Sequence, residues 1–107
     1  MIFKRRFGEL IDRQLDLFEQ DNTDLFDRVD DAEDDYRRAG RDEAEERFGD
    51  LQEVLTEGTD ALVSLRDAYA ESLDADVADE YAAAFDFAVV RRFPQFALEL
   101  EDEPEDD

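Results

Sequence analysis

Apolar side chains return every three or four residues along most of this chain, and that period, one face of an α-helix, limits the fold more than any other feature. In "ELIDRQLDLFEQ" Ile11, Leu15 and Phe18 form one stripe with Leu10 and Leu17 beside it, which predicts a first helix over about residues 9–20. Asn22 or Thr23 can cap a second helix, where Leu25, Phe26, Val29, Ala32, Tyr36 and Ala39 keep the period as far as Gly40. Ala44, Phe48, Leu51 and Leu55 carry it from Asp42 to Gly58, and Leu62, Leu65, Tyr69 and Leu73 from Asp60 to Leu73. "GTD", residues 58–60, offers a C-cap glycine followed by a threonine N-cap, so the preferred division is two helices here. The spacing through Gly58 is nonetheless unbroken, and the competing arrangement is one long rod with Gly58 on its inner face. A last helix, capped by Asp74 or Asp76, carries Val77, Tyr81, Phe85, Ala88 and Val89 inward and stops before Pro94, because proline disfavours helix in the residue that precedes it.

Beyond Pro94 the period changes. Phe96, Leu98 and Leu100 alternate with Ala97, Glu99 and Glu101, the repeat of a short strand or extended arm. The reading is therefore an all-α helical bundle of four to five helices, with a short β pairing of the N- and C-terminal segments. It forms a single domain over residues 1–101, followed by an acidic tail at 102–107. A chain of 107 residues has room for one core. Leu, Ile, Val and Phe supply 28 of its residues, above the roughly 20% below which highly charged chains stay unfolded.

The solvent is legible in the charge. Asp and Glu total 34 against 12 Lys and Arg, for a net charge of -22, and Lys occurs once. This composition resembles that of proteins from salt-loving archaea, which hold molar salt in the cytoplasm; the likeness implies a habitat and not a family. In dilute buffer such a surplus opposes compaction, whereas near 1 M salt the screening length falls to about 3 Å and the repulsion largely vanishes. High potassium salt is the expected stabilising solvent.

Cysteine and histidine are both absent, which removes disulfides, thiol nucleophiles, the usual neutral-pH general base and the commonest metal ligand. No apolar run approaches the roughly 20 residues that span a bilayer, and "MIFKRRF" is followed by acidic residues in place of a secretory apolar segment, so the expected location is the cytoplasm.

Lys4, Arg5 and Arg6 in "IFKRRF" would meet the positive end of a helix dipole, which places residues 2–7 outside the first helix as an extended segment. Paired with "FALELE", it sets Lys4 and Arg6 opposite Glu99 and Glu101, each cross-strand pair contributing about 0.2–1 kcal/mol. Basic residues between aromatics can also touch nucleic acid or an anionic membrane surface. Residues 1–20 are locally neutral, however, so the rest of the chain carries the whole surplus and repels phosphate. Neither a nucleic-acid nor a membrane partner is expected. Arg91 and Arg92 suit the last turn of a helix and need no further role.

Any chemistry must then rest on carboxylates, Tyr, Arg or Ser and Thr, and the carboxylate clusters are where an enzyme could hide. "DDAED", residues 30–34, puts Asp30, Asp31 and Asp34 on one helix face, and "RFGDLQEVL", residues 47–55, brings Asp50. The two stretches resemble the all-α nucleoside triphosphate pyrophosphohydrolases of the MazG-like family. The resemblance implies Asp31, Asp34 and Asp50 as ligands of a magnesium ion held against a triphosphate; the sequence departs from the family at Arg47, where a carboxylate is wanted. A third class is an acidic surface that mimics DNA. Tyr36, Phe48, Tyr69, Tyr81 and Phe85 fall at helical spacing, so core packing accounts for them. In the first helix Leu10, Ile11, Leu15, Leu17 and Phe18 together exceed what a small bundle covers, which marks a dimer or partner contact. The leading reading is a non-catalytic interaction or structural module without a cofactor, which self-associates as a homodimer or binds a protein partner.

Overall fold

The computed structural model describes the backbone of residues 2–96 and the side chains of residues 7–96. Helix α1 spans Ile2–Asp21, α2 Thr23–Arg38, α3 Ala44–Ala70 and α4 Ala75–Arg92, and a short 3₁₀ turn follows at Pro94–Phe96. The described residues contain no strand. The expected extended segment at residues 2–7 is α-helical and cannot join a strand, so the β pairing of the ends is not supported. The physical reason is Phe7, which extends the Ile11, Leu15, Phe18 stripe back by one turn and is itself buried against Tyr81, ring centroids 5.5 Å apart. Burying one such side chain is worth about 1.5–3 kcal/mol, enough to offset cations near a helix N-terminus at about 0.3–1 kcal/mol each. The side chains of Lys4 and Arg6, and all of Glu99 and Glu101, lie outside the described residues, as do residues 97–101 and the tail.

α3 is one rod of 27 residues, which corrects the preferred division at Gly58. Thr59, the supposed cap of a new helix, instead donates its hydroxyl to the Leu55 carbonyl oxygen one turn back at 3.0 Å, a bond compatible with uninterrupted helix. Gly58 is buried beneath the Phe96 ring, and a Cβ there would come within 2.5 Å of the Phe96 Cζ. Glycine in a helix interior costs about 1 kcal/mol relative to alanine. Here it opens the notch that seats Phe96. That aromatic is therefore core, where the two-residue alternation had assigned it to a strand.

At 1.5 Å per residue α3 is about 40 Å long, and it serves two different neighbours. Its second half runs antiparallel to α4, joined by Arg66 to Asp86 at 2.9 Å and by Tyr69 packed at a tilt against Tyr81, ring centroids 4.9 Å apart. α4 in turn lies parallel to α1, with Phe7 near Tyr81 at one end and Arg92 bonded to Asp16 and Glu19 at the other. Ile11, Leu15, Leu62, Tyr81, Phe85, Val89 and Phe96 form the centre of this body, each at most 2% exposed. The first half of α3 pairs with α2 as an antiparallel hairpin, with Arg28 bonded to Glu57 and Tyr36 packed against Phe48. Leu25, Val29, Leu51 and Val54 bury its base; from residue 30 to residue 50 no side chain is buried. α2 and α3 thus form an arm that leaves the body. Asn22 alone separates α1 from α2. It stands at the N-cap position of α2, but its Nδ2 donates backwards to the Phe18 carbonyl oxygen at 2.8 Å and closes the end of α1. Among the expected last-helix caps, Asp74 holds the N-cap position.

Candidate functional site

Three places could carry function, and the geometry separates them. The first is the groove between α2 and α3, about 490 Å³, lined by Asp31, Asp35, Asp50, Glu53 and Glu57 with Arg28 at its edge. Arg28 grips Glu57 through two bonds of 3.0 and 2.8 Å and reaches Asp24 at 3.2 Å. These hydrogen bonds raise the Arg28 pKa and lower that of Glu57. Of the three residues implied by the pyrophosphohydrolase resemblance, Asp31 and Asp50 line this groove and Asp34 does not. Asp34 is bonded to Arg37 at 2.6 Å, with Arg38 at 3.9 Å, and Asp50 is bonded to Arg47 at 3.2 Å. Among the described residues no three carboxylates are set to hold a metal ion. An arginine salt-bridged to each of two would-be ligands competes with a cation for the same oxygens.

The second place is a polar seam inside the body. Tyr81, fully buried, donates its hydroxyl to Gln14 Oε1 at 2.8 Å. Burial pushes its pKa up to about 12, the bond to Gln14 acting the other way. Asp86 is buried and accepts from Arg66. Burial disfavours the Arg66 charge, but hydrogen bonds from its guanidinium to Asp67 and Asp86 outweigh this and leave its pKa raised. Tyr81 with Gln14 and Arg66 with Asp86 tie neighbouring helices together, so the seam reads as a device that aligns α1, α3 and α4. The sequence reading had missed Asp86, which looks like any other acid in the chain until α3 is folded against α4.

The third place is the tip of the arm. Tyr36 and Phe48, expected in the core, are 41% and 45% exposed and pack on each other with ring centroids 5.5 Å apart. The residues of the proposed α1 interface behave in the opposite way. Ile11, Leu15 and Phe18 are core residues of this chain, Leu10 is half-buried, and of the five only Leu17 stays exposed, at 50%. α4 covers the stripe that was expected to face a partner. A second groove, about 430 Å³ between α1 and α4, is lined by Gly8, Ala84, Phe87, Ala88 and Arg91 among others, with Arg91 over the Phe87 ring at 5.6 Å. No helix among the described residues is long and apolar enough to cross a membrane.

The class defined by these features is an all-α, four-helix domain with a two-helix arm. Comparison with protein-family models, with curated proteins and with solved structures finds no match to this chain.

Proposed function

We propose that this protein is an interaction module, working in molar salt, that engages a protein surface with the tip of the α2–α3 arm and performs no catalysis itself. The observation that carries the reading is the Tyr36–Phe48 pair, half-exposed at the end of an arm whose outer residues 30–50 include no fully buried side chain. A two-helix projection gains little from its own packing, since helices of this length depend on tertiary contacts for stability. An aromatic pair held at its end is the kind of anchor that interfaces favour. The pyrophosphohydrolase and DNA-mimic readings lack a comparable feature: Asp34 stands apart from Asp31 and Asp50, and the acidic faces follow from composition alone.

The test places a photo-activatable benzoyl-phenylalanine at Gln52, exposed and one turn from Phe48, and irradiates an extract of the expressing cells in 2 M potassium chloride. The expected result is a covalent adduct, with this chain or another protein, that disappears when Tyr36→Ser and Phe48→Ser are combined while the circular dichroism stays unchanged. No adduct, or one indifferent to the double substitution, overturns the reading.

A further inference from the structure

We propose that the partner engaged by the arm tip is a second copy of this chain, packed tip to tip about a two-fold axis; the inference rests on the interaction reading above. The argument begins with charge. Two chains of net charge -22 are screened from each other in molar salt beyond about 3 Å, but carboxylates pressed together at a contact still oppose one another, so self-association favours a patch where charge is balanced. Residues 36–48 are such a patch: Arg37, Arg38, Arg41 and Arg47 offset Asp42, Glu43, Glu45 and Glu46. The flanks are different, residues 24–35 carrying a net -6 and residues 49–60 a net -4. A basic partner would be drawn to those flanks and away from the tip. A neutral aromatic tip instead suits an equally neutral surface.

The order of the charges supplies the symmetry. In chain order the cations Arg37, Arg38 and Arg41 come first and the acids Asp42, Glu43, Glu45 and Glu46 after them, the change of sign falling inside the turn at 41–43. Arg37 and Arg38 are held by Asp34 of their own chain, so a two-fold axis through the tip sets Arg41 of one copy against the acids of the other, Glu45 among them, and the reverse, and the same patch complements itself as an isologous contact requires. Within one chain Arg41, Asp42, Glu43, Glu45 and Glu46 make no side-chain hydrogen bond or ion pair among the described residues. Glu43 and Glu46 lie close enough to Arg47 to favour its charge, which leaves Arg41, Asp42 and Glu45 to form pairs across the axis. The two Tyr36–Phe48 pairs then meet at the centre as four rings, shielded by charged groups at the rim.

Light scattering behind size exclusion and sedimentation velocity in 1 M potassium chloride, from 1 to about 200 μM protein, read the result directly. The expected wild-type behaviour is twice the mass of one chain at high concentration, falling toward one chain on dilution. Phe48→Ser or Tyr36→Ser should raise the dissociation constant at least tenfold with unchanged circular dichroism, and Leu17→Ser should leave it unaltered. Arg41→Glu and Glu45→Arg should each weaken the dimer alone and recombine as a mixed dimer when combined. A single-chain mass at every concentration, a dimer indifferent to the ring substitutions, or charge-swapped chains that do not prefer each other would overturn the inference. If the purified chain is monomeric while the probe at Gln52 captures a different protein, the second copy is excluded and the interaction reading stands; a monomer without any adduct removes both.

Discussion

Gly58 shows how one missing side chain organises this molecule. The Phe96 ring fills the space a Cβ would need, so Gly58→Ala should destabilise by about 1–3 kcal/mol, the range for overpacking a tight core. Phe96→Ala alone should cost about 3–5 kcal/mol. In the Phe96→Ala background the sign of the glycine substitution should reverse, because only the helix preference for alanine, about 1 kcal/mol, remains. Denaturant unfolding of the four chains in 2 M potassium chloride measures this cycle; Gly58→Ala destabilising both backgrounds equally would contradict the notch. Tyr81 gives a second test, in alkali. Its folded pKa of about 12 lies above the roughly 10 of an unfolded tyrosine, so the folded state holds the phenolic proton more tightly. The resulting stability is fully present below pH 10 and is lost as pH rises from there through 12. Thermal midpoints should fall across that window, and less steeply in Tyr81→Phe.

Among the elements, α3 and α4 are aligned by a pair that is mostly out of water. The side chains of Arg66 and Asp86 are 17% and 10% exposed, whereas Asp67, also bonded to Arg66, is 56% exposed. Removing one partner of a buried pair leaves a charge without compensation and costs about 3 kcal/mol or more, while a solvent-exposed partner is worth about 0–1 kcal/mol. Asp86→Ala should therefore lower stability by about 3 kcal/mol and Asp67→Ala by less than about 1 kcal/mol, read from urea midpoints at fixed salt. Equal effects would mean that the seam does not align the helices. Arg92 ties the far end of α4 to Asp16 and Glu19 of α1. Its position in the last turn of α4 also satisfies the helix dipole, so one side chain serves both elements.

For the molecule as a whole, net charge makes the stability of the fold an expected function of salt. With 34 acids against 12 bases, the screening length near 1 M salt, about 3 Å, is what lets neighbouring carboxylates approach. The exposed pairs on α2 and α3, such as Arg28 with Asp24 and Glu57, contribute little under such screening. Helical circular dichroism should fall as potassium chloride is lowered from 2 M to a few millimolar and return when salt is restored. A native signal that persists at a few millimolar would show that apolar burial alone overcomes the repulsion. The outer part of the arm, residues 30–50, should exchange amide hydrogens faster than α4, because it lacks buried neighbours.

What the sequence alone determined is the class of fold and much of its inner face. Leu15, Leu25, Val29, Leu62, Tyr81, Phe85 and Val89 are readable from period because a helix must turn one stripe toward its neighbours, whichever neighbours those are. It also determined the charge. Only the tertiary structure decided which stripes find a cover. The α1 stripe, read as an interface, lies beneath α4, while Tyr36 and Phe48, at equally regular spacing, reach past the end of the body and stay exposed. The same holds for Gly58, where a capping motif and an unbroken stripe competed. Local rules allow either outcome, and the Phe96 ring, arriving from 38 residues away in the chain, favours the rod. Spacing records which side chains share a face; the lengths of the helices and the long-range contacts between them decide whether that face meets protein or water.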